Sequence, residues 1–216
     1  MKSEVYNIDC LEYMKDCVDK QVSLAICDVN YGIGEDGLKN HSRGKCAKPT
    51  LYIPKKWDKE SVSKIILDEI IRVSKNQILW GANHFISKMP YDSPSWVVWD
   101  KQNGDNDFAD CELAWTSFDS AVRIFRFRWA GMLQGNMKDK ELRIHPTQKP
   151  VQLYKWLLKH YAKEGDKILD THLGSGSSRI ACYDGGFDFW GCELDEDYFN
   201  DGNKRFENFK AQLKLF

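Results

Sequence analysis

Lys167-Ile-Leu-Asp170-Thr-His-Leu-Gly174-Ser-Gly176-Ser-Ser-Arg-Ile180 reads as a strand, a tight turn and the opening of a helix. A short apolar run ends on a carboxylate, and two glycines let the backbone approach a ligand closely. The helix that follows opens with N–H groups that have no partner inside the helix. The third glycine of a dinucleotide fingerprint would fall at Arg179, and the Gly-Lys-Ser/Thr of a phosphate-binding loop is absent. Further on, Phe189-Trp-Gly-Cys-Glu193 is a strand closing on an acid, 23 residues beyond Asp170. An acid at that place suits the two hydroxyls of a ribose. On its own the segment is either a turn that binds a nucleoside-containing ligand or a structural turn of an α/β protein.

Working outward, short apolar runs alternate with helical patterns along the whole chain, the signature of an α/β fold with a mostly parallel, doubly wound sheet. The expected strands are Val5–Ile8, Ser23–Cys27, Gln77–Leu79, Trp96–Trp99, Glu112–Thr116, Arg123–Arg128, Lys167–Leu169 and Phe187–Cys192. The expected helices are Leu11–Val18, Ser61–Ser74, Val151–Ala162, Ser177–Asp184 and Asp195–Leu213. In Ser61–Ser74 the residues Val62, Ile65, Ile66, Ile70 and Val73 make one apolar stripe that should pack on the sheet. Residues 32–58 and 130–149 follow neither period, and loops this long inside a compact domain are commonly functional.

The chain has 216 residues, which predicts one domain over 1–216. A content of 42% hydrophobic and 29% charged residues excludes a disordered or fibrous chain. No apolar run reaches the roughly 18–20 residues of a membrane span, and no signal-peptide core follows Met1. The 7 cysteines are odd in number and form no CxxC pair, so reduced thiols and a cytoplasmic location are expected. The 5 histidines show no zinc-site spacing, and no metal is expected. With a net charge of −1, any nucleic-acid binding has to come from a local patch.

Val22-Ser-Leu-Ala-Ile-Cys27 runs directly into Asp28-Val29-Asn30-Tyr31-Gly32. A carboxylate at the end of a buried strand sits where open α/β sheets bind ligands. Read alone, this tetrapeptide is either a site or an ordinary strand exit. Together with two other segments it resembles the β-class S-adenosylmethionine-dependent amino-methyltransferases of DNA. Asp28-Val-Asn-Tyr31 resembles their catalytic Asp-Pro-Pro-Tyr, and His145-Pro-Thr-Gln-Lys-Pro150 matches their His-Pro-Thr-Gln-Lys-Pro in full. Asp170-Thr-His-Leu-Gly-Ser-Gly-Ser177 resembles their cofactor turn. Asn7-Ile-Asp9-Cys-Leu-Glu and Gly191-Cys-Glu193 are similar to flanking family segments. The catalytic motif precedes the glycine turn, the circularly permuted order of this class, and the likeness runs from about residue 5 to 205.

The resemblance implies a Rossmann-like class I methyltransferase fold and S-adenosyl-L-methionine as cofactor. It implies that the Asp28 carboxylate and the Val29 carbonyl hold the two protons of an exocyclic amine while Tyr31 stacks on the base. Such an amine is a poor nucleophile because its lone pair is delocalised into the ring, and the two acceptors draw the nitrogen toward a tetrahedral shape. Asp170 and the Gly174-Ser175-Gly176 backbone would hold the methionine end, Glu193 the ribose and Asp9 the adenine end. Thr147 and Lys149 would reach the methionine carboxylate. The substrate would be double-stranded DNA with the target base flipped out. Asp in place of Ser at position 28 favours adenine N6; cytosine N4 methylation, and a homologue impaired by Val29-Asn30, are the alternatives. Family members also pair as homodimers, accompany restriction enzymes or stand alone in phages.

DNA contacts are expected in loops 32–58 and 130–149. Lys39, Arg43, Lys45, Lys48, Lys55 and Lys56 form a cationic run with no Asp or Glu between them, directly after the catalytic motif. Arg123-Ile-Phe-Arg126-Phe-Arg128 is a second basic and aromatic stretch.

Overall fold

The computed structural model describes residues 1–35, 52–55, 57–104, 109–130 and 133–213. Its first elements are β1 (Ser3–Tyr6), α1 (Cys10–Lys15), β2 (Val22–Cys27), α2 (Lys64–Val73) and β3 (Ser74–Trp80). There follow β4 (Trp96–Asp100), β5 (Cys111–Thr116), β6 (Arg123–Arg126), β7 (Trp129–Ala130) and β8 (Leu133–Gln134). The chain closes with α3 (Val151–Tyr161), β9 (Lys167–Asp170), α4 (Ser177–Asp184), β10 (Asp188–Cys192) and α5 (Glu196–Leu213). Eight strands make one sheet in the order β1-β10-β9-β2-β3-β5-β4-β6, and β7 and β8 form a separate two-stranded hairpin. Within the large sheet β5 is antiparallel to both its neighbours, and every other pair is parallel.

Both faces of this sheet are covered, and the strand sequences show it. In β2 the alternate residues Leu24 and Ile26 face one apolar cluster, while Ala25 and Cys27 face the other. The first cluster joins Ile78, Trp80, Val97, Trp99, Ile168 and Phe189 to Leu153 and Leu157 of α3. The second joins Leu79, Leu169 and Trp115 to Leu67, Ile70 and Val73 of α2. Fully burying each such aliphatic or aromatic side chain contributes about 1.5–3 kcal/mol. Within the first cluster Trp80 and Trp99 meet edge to face at 6.5 Å.

The element boundaries depart from expectation for local reasons. Helix α2 begins at Lys64 because Ser63 caps it, its Oγ accepting from the Ile66 N–H at 3.3 Å. The stripe therefore runs through Leu67, Ile70 and Val73, and Ile65 is 66% exposed on the opposite face. Ser74 ends the helix and opens β3 without a loop, its Oγ donating to the Ile70 carbonyl. The expected strand Arg123–Arg128 stops at Arg126, after which Phe127 and Trp129 donate to the carbonyls of Asp100 and Lys101. Arg123 and Arg126 are both exposed, on opposite faces of this edge strand.

From β2 the sheet grows outward through β3 in one direction, and from β9 through β10 in the other. The pair β2–β9 is thus the switch point of the sheet, and open α/β sheets bind ligands outside the carboxyl ends of the strands at that point. Asp28 follows β2 and the glycine turn follows β9, so topology alone puts the two segments side by side. Among the described residues no helix is long and apolar enough to cross a membrane.

Candidate active site

A cavity of about 1020 Å³ opens at this switch point. Its walls are the Asp28–Tyr31 segment, the hexapeptide 145–150 as far as Lys149, the glycine turn, and Glu193 to Asp195. The volume reaches the upper end of the 300–1,000 Å³ usual for ligand pockets, enough for two ligands in contact.

Tyr31 is set in place by four devices that the sequence alone does not announce. Asp58, 2% exposed, accepts N–H bonds from Tyr31 (2.9 Å), Gly32 (2.8 Å), Ile33 (3.2 Å) and Glu35 (3.0 Å). Asn30 donates from Nδ2 to the Trp57 carbonyl at 2.7 Å, and its own carbonyl accepts the Val62 N–H at 3.0 Å. The residue that stands where the family motif has its second proline therefore ties the returning chain to the Asp28–Tyr31 segment. Gly81 lies under the Tyr31 ring at φ +73°, where a Cβ would sit 2.0 Å from the ring, so only glycine fits. His84 stacks on the same ring at 5.1 Å. Asp58→Ala will leave four backbone donors without their acceptor and cost on the order of 3 kcal/mol, read as a lowered urea midpoint with an unchanged m-value.

Asp28 sits in a buried cluster of charges. Its Oδ1 accepts from Lys149 Nζ at 2.5 Å and from the Tyr31 hydroxyl at 2.8 Å. Lys149, 4% exposed, also donates to the Tyr31 oxygen at 3.0 Å and pairs with Glu112 Oε2 at 3.0 Å. Glu112 Oε1 receives Lys101 at 2.6 Å. Burial pushes the Asp28 carboxyl up, and the neighbouring Glu112 adds to this against the pull of Lys149. Burial would also raise Glu112, but Lys149 and Lys101 outweigh it and hold it at about 2. Burial opposes the charge on Lys149, yet the two carboxylates keep its pKa above the ordinary value. Lys149 is thus a permanent cation here. Lys149 is expected at the methionine carboxylate, and the structure places it on the cavity wall with its ammonium against Asp28 and Glu112.

The hexapeptide reaches this position through a polar strap. Gln148 accepts the Ile144 N–H on Oε1 and donates to the Leu142 carbonyl, while its own carbonyl accepts from Trp129 Nε1 at 2.8 Å. Glu141 takes the Val151 N–H at 2.9 Å and Arg205 at 2.6 Å, and Arg205 in turn binds the Ser175 carbonyl. The hexapeptide and the glycine turn are thereby fixed to each other. Thr147 lines the cavity with its hydroxyl 3.1 Å from His145 Nδ1, and burial together with Lys149 lowers His145 to about 3, leaving it neutral.

Asp9, Val29, Gly174, Ser175 and Glu193 are also on the cavity wall. Asp9 caps α1 by accepting the Leu11 N–H at 2.8 Å. Glu193 accepts the Gly174 N–H at 2.7 Å and the Asp195 N–H at 2.9 Å, and burial raises its pKa. Two expected residues are elsewhere. Asp170, 1% exposed, lies beneath the turn with its carboxylate on the Ser178 hydroxyl (2.5 Å) and the His172 N–H (3.1 Å). Burial raises it to about 7. Gly176 gives its N–H to the Leu173 carbonyl and begins α4. Both shape the turn and neither belongs to the cavity wall. Arg179, at the position of a dinucleotide site's third glycine, packs 3.8 Å from the Phe206 ring and donates to Ser3 and Asn203.

Lys39, Arg43, Lys45 and Lys48 lie outside the described residues. Lys55, from the same cationic run, is paired with Asp195 at 2.7 Å and Asp197 at 2.6 Å, so its charge fastens the loop to the start of α5. The residues that sequence reasoning missed are Asp58, Lys101, Glu112, Glu141 and Arg205. Each is a single charged residue outside any motif. Glu112 alone carries a signal: an acid, flanked by Cys111 and Leu113, near the start of a strand.

The same sheet occurs in solved class I DNA methyltransferases. The M1.HpyAVI–SAM complex superposes with a TM-score of 0.56 at 17% identity, covering 94% of this chain and 98% of that one. PvuII DNA methyltransferase, described as cytosine-N4-specific, gives a TM-score of 0.62 at 10% identity over 98% and 91% of the two chains. Among curated relatives, Type II methyltransferase M2.DpnII of Streptococcus pneumoniae is 35% identical over 79 residues, which is 37% of this chain but 29% of that protein. Type II methyltransferase M1.MboII of Moraxella bovis is 19% identical over 255 aligned positions, covering 93% of this chain and 95% of its own. The N6/N4 methyltransferase family model, described as DNA methylase, matches residues 57–204. The chain belongs to this DNA methylase family.

Proposed function

We propose that the chain transfers a methyl group from S-adenosyl-L-methionine to the exocyclic amine of a base flipped out of double-stranded DNA, and that the base is adenine, methylated at N6. The observation that carries this reading is that Asp28 and Tyr31 open into one cavity with Gly174, Ser175 and Glu193. Family membership supports amine methylation, and the relative M1.HpyAVI crystallised with SAM. The residues fit such a cofactor: the Glu193 and Asp9 carboxylates suit hydroxyl and amino donors, and the glycine turn offers close backbone approach. When bound, the cofactor supplies a methyl group on a sulfonium leaving group.

The chain's own residues then have one task, which is to make the amine nucleophilic and aim it. Asp28 accepts one amino proton and the Val29 carbonyl the other. The nitrogen lone pair is thereby drawn out of the ring and aimed at the cofactor side of the cavity, and Asp28 would take up the surplus amino proton. Position and fixed charge supply the rate. Tyr31 provides an aromatic face for the flipped base, worth about 1–3 kcal/mol per stacked base. Loops 32–58 and 130–149 would contact the duplex, with Lys39, Arg43, Lys45 and Lys48 on its phosphates.

The test is transfer of a tritiated methyl group from the cofactor to unmethylated DNA, followed by digestion to nucleosides. Label in N6-methyldeoxyadenosine is the expected result. Label in N4-methyldeoxycytidine would move the reaction to cytosine, and label in neither would overturn the proposal.

A further inference from the structure

Five polar groups meet at the carboxyl ends of β2, β4 and the hexapeptide, and one of them, Glu112, arrives on the reversed strand β5. Its two oxygens face different cations, Lys101 at 2.6 Å and Lys149 at 3.0 Å, and the Tyr31 hydroxyl lies 3.3 Å from the second oxygen. The three ammonium protons of Lys149 have three acceptors: Asp28 at 2.5 Å, Tyr31 at 3.0 Å and Glu112 at 3.0 Å. The Lys149 ammonium also lies over the rings of Tyr31 and Trp80 at 5.3 and 5.5 Å. Two carboxylates and two ammoniums balance, so the cluster is neutral as it stands.

That arrangement poses a problem for the reaction and also contains its answer. Oδ1 of Asp28 already accepts from Lys149 and the Tyr31 hydroxyl, and an amine that binds at this oxygen displaces the ammonium. A buried ammonium that leaves its only carboxylate becomes an uncompensated charge, a costly state. We infer that Glu112 is a positioning residue, the second anchor that retains Lys149 when the target amine takes its place on Asp28. This inference rests on the amino-methyltransferase reading above. With Glu112 present, Lys149 exchanges one of its two carboxylate contacts and stays paired. With Glu112 neutral, Asp28 is the sole carboxylate for Lys149, and the ion pair competes with the incoming amine.

The groups that face this pair set the sign of its pH dependence. They are Tyr31 on the exit of β2, Lys101 after β4, Lys149 in the hexapeptide, Tyr154 on α3 and Asp170 at the end of β9. Asp28 has to be ionised to accept a proton. Removing the negative charge of Glu112 therefore moves the acidic limb of kcat/KM to lower pH, and removing the positive charge of Lys101 moves it to higher pH.

The experiment measures methyl transfer to DNA against pH, with cofactor affinity by calorimetry, for wild type, Glu112→Gln, Glu112→Asp and Lys101→Gln. We expect Glu112→Gln to lower kcat at least tenfold with cofactor affinity unchanged within twofold. Its acidic limb moves down, the limb of Lys101→Gln moves up, and Glu112→Asp recovers rate with the wild-type limb. Wild-type rate and limb in Glu112→Gln overturn the inference alone. So does a parallel loss of rate and cofactor affinity with unmoved limbs in both variants, the pattern of a purely structural residue. A wild-type protein that labels no DNA base overturns the proposed function and this inference with it.

Discussion

Asp28→Ala is expected to lower methyl transfer at least about 10³-fold while leaving cofactor affinity within about twofold. Removing one preorganised electrostatic contact from a water-poor site typically costs 10²–10³ in rate. Asp28 bears a larger share than that, because one acceptor alone cannot hold both amino protons. The second half of the expectation follows from the contacts. Asp28 bonds to Lys149 and Tyr31, whereas Asp9 and Glu193 are held by backbone N–H groups and share no partner with it. Losing the carboxylate therefore disturbs the amine side alone. Lys149 keeps Glu112 as a partner, so the variant remains folded enough to assay. Labelled transfer and calorimetric cofactor binding check the two halves separately. Retained turnover would remove Asp28 from the chemistry, and lost cofactor binding would mean that the two ends of the cavity are not independent.

Much of this molecule could be read from short patterns. The near-continuous apolar run of β2 leading to Asp28, and the glycine turn following β9, placed two ligand-facing segments at strand ends, and the parallel sheet puts them together. Glu193 and Asp9 follow from the same logic. What sequence could not supply was the partner of each charge. Lys149 sits in a segment that matches a known motif throughout, yet its contacts come from Asp28, 121 positions earlier, and from Glu112 on a strand whose reversal no local pattern encodes. Asp170 shows the converse. Its place at the end of a strand before glycines reads as a ligand-facing acid, but the Ser178 hydroxyl and the His172 N–H draw it beneath the turn. A motif gives the location of an acid in the chain. Which way the carboxylate turns depends on donors that the fold brings from elsewhere.

Lys149→Met tests that long-range assembly directly and is expected to cost about 3–5 kcal/mol of stability near pH 8, because it leaves buried carboxylates without their common cation. The pH dependence carries the argument. In the native protein Glu112 is held at about 2 by Lys149 and Lys101, so its ion pairing adds stability above the ordinary carboxylate range that is lost as pH falls toward 2. Without Lys149 the carboxyls of Asp28 and Glu112 both rise. Asp28, already raised by burial, then goes further above its unfolded value. The folded variant accordingly binds more protons than its unfolded chain, and its stability falls as pH rises, opposite in slope to the contribution of Glu112 in the native protein. Urea unfolding at pH 5 and pH 8 reads this out, with the gap between variant and wild type narrower at pH 5. A gap of equal size at both values would mean that methionine fails through shape and that the charges contribute nothing. Cofactor affinity, measured where the variant is folded, separates the two assignments of this lysine. Retention within a few-fold follows from its place between Asp28 and Glu112, whereas a collapse of binding would return Lys149 to the methionine carboxylate.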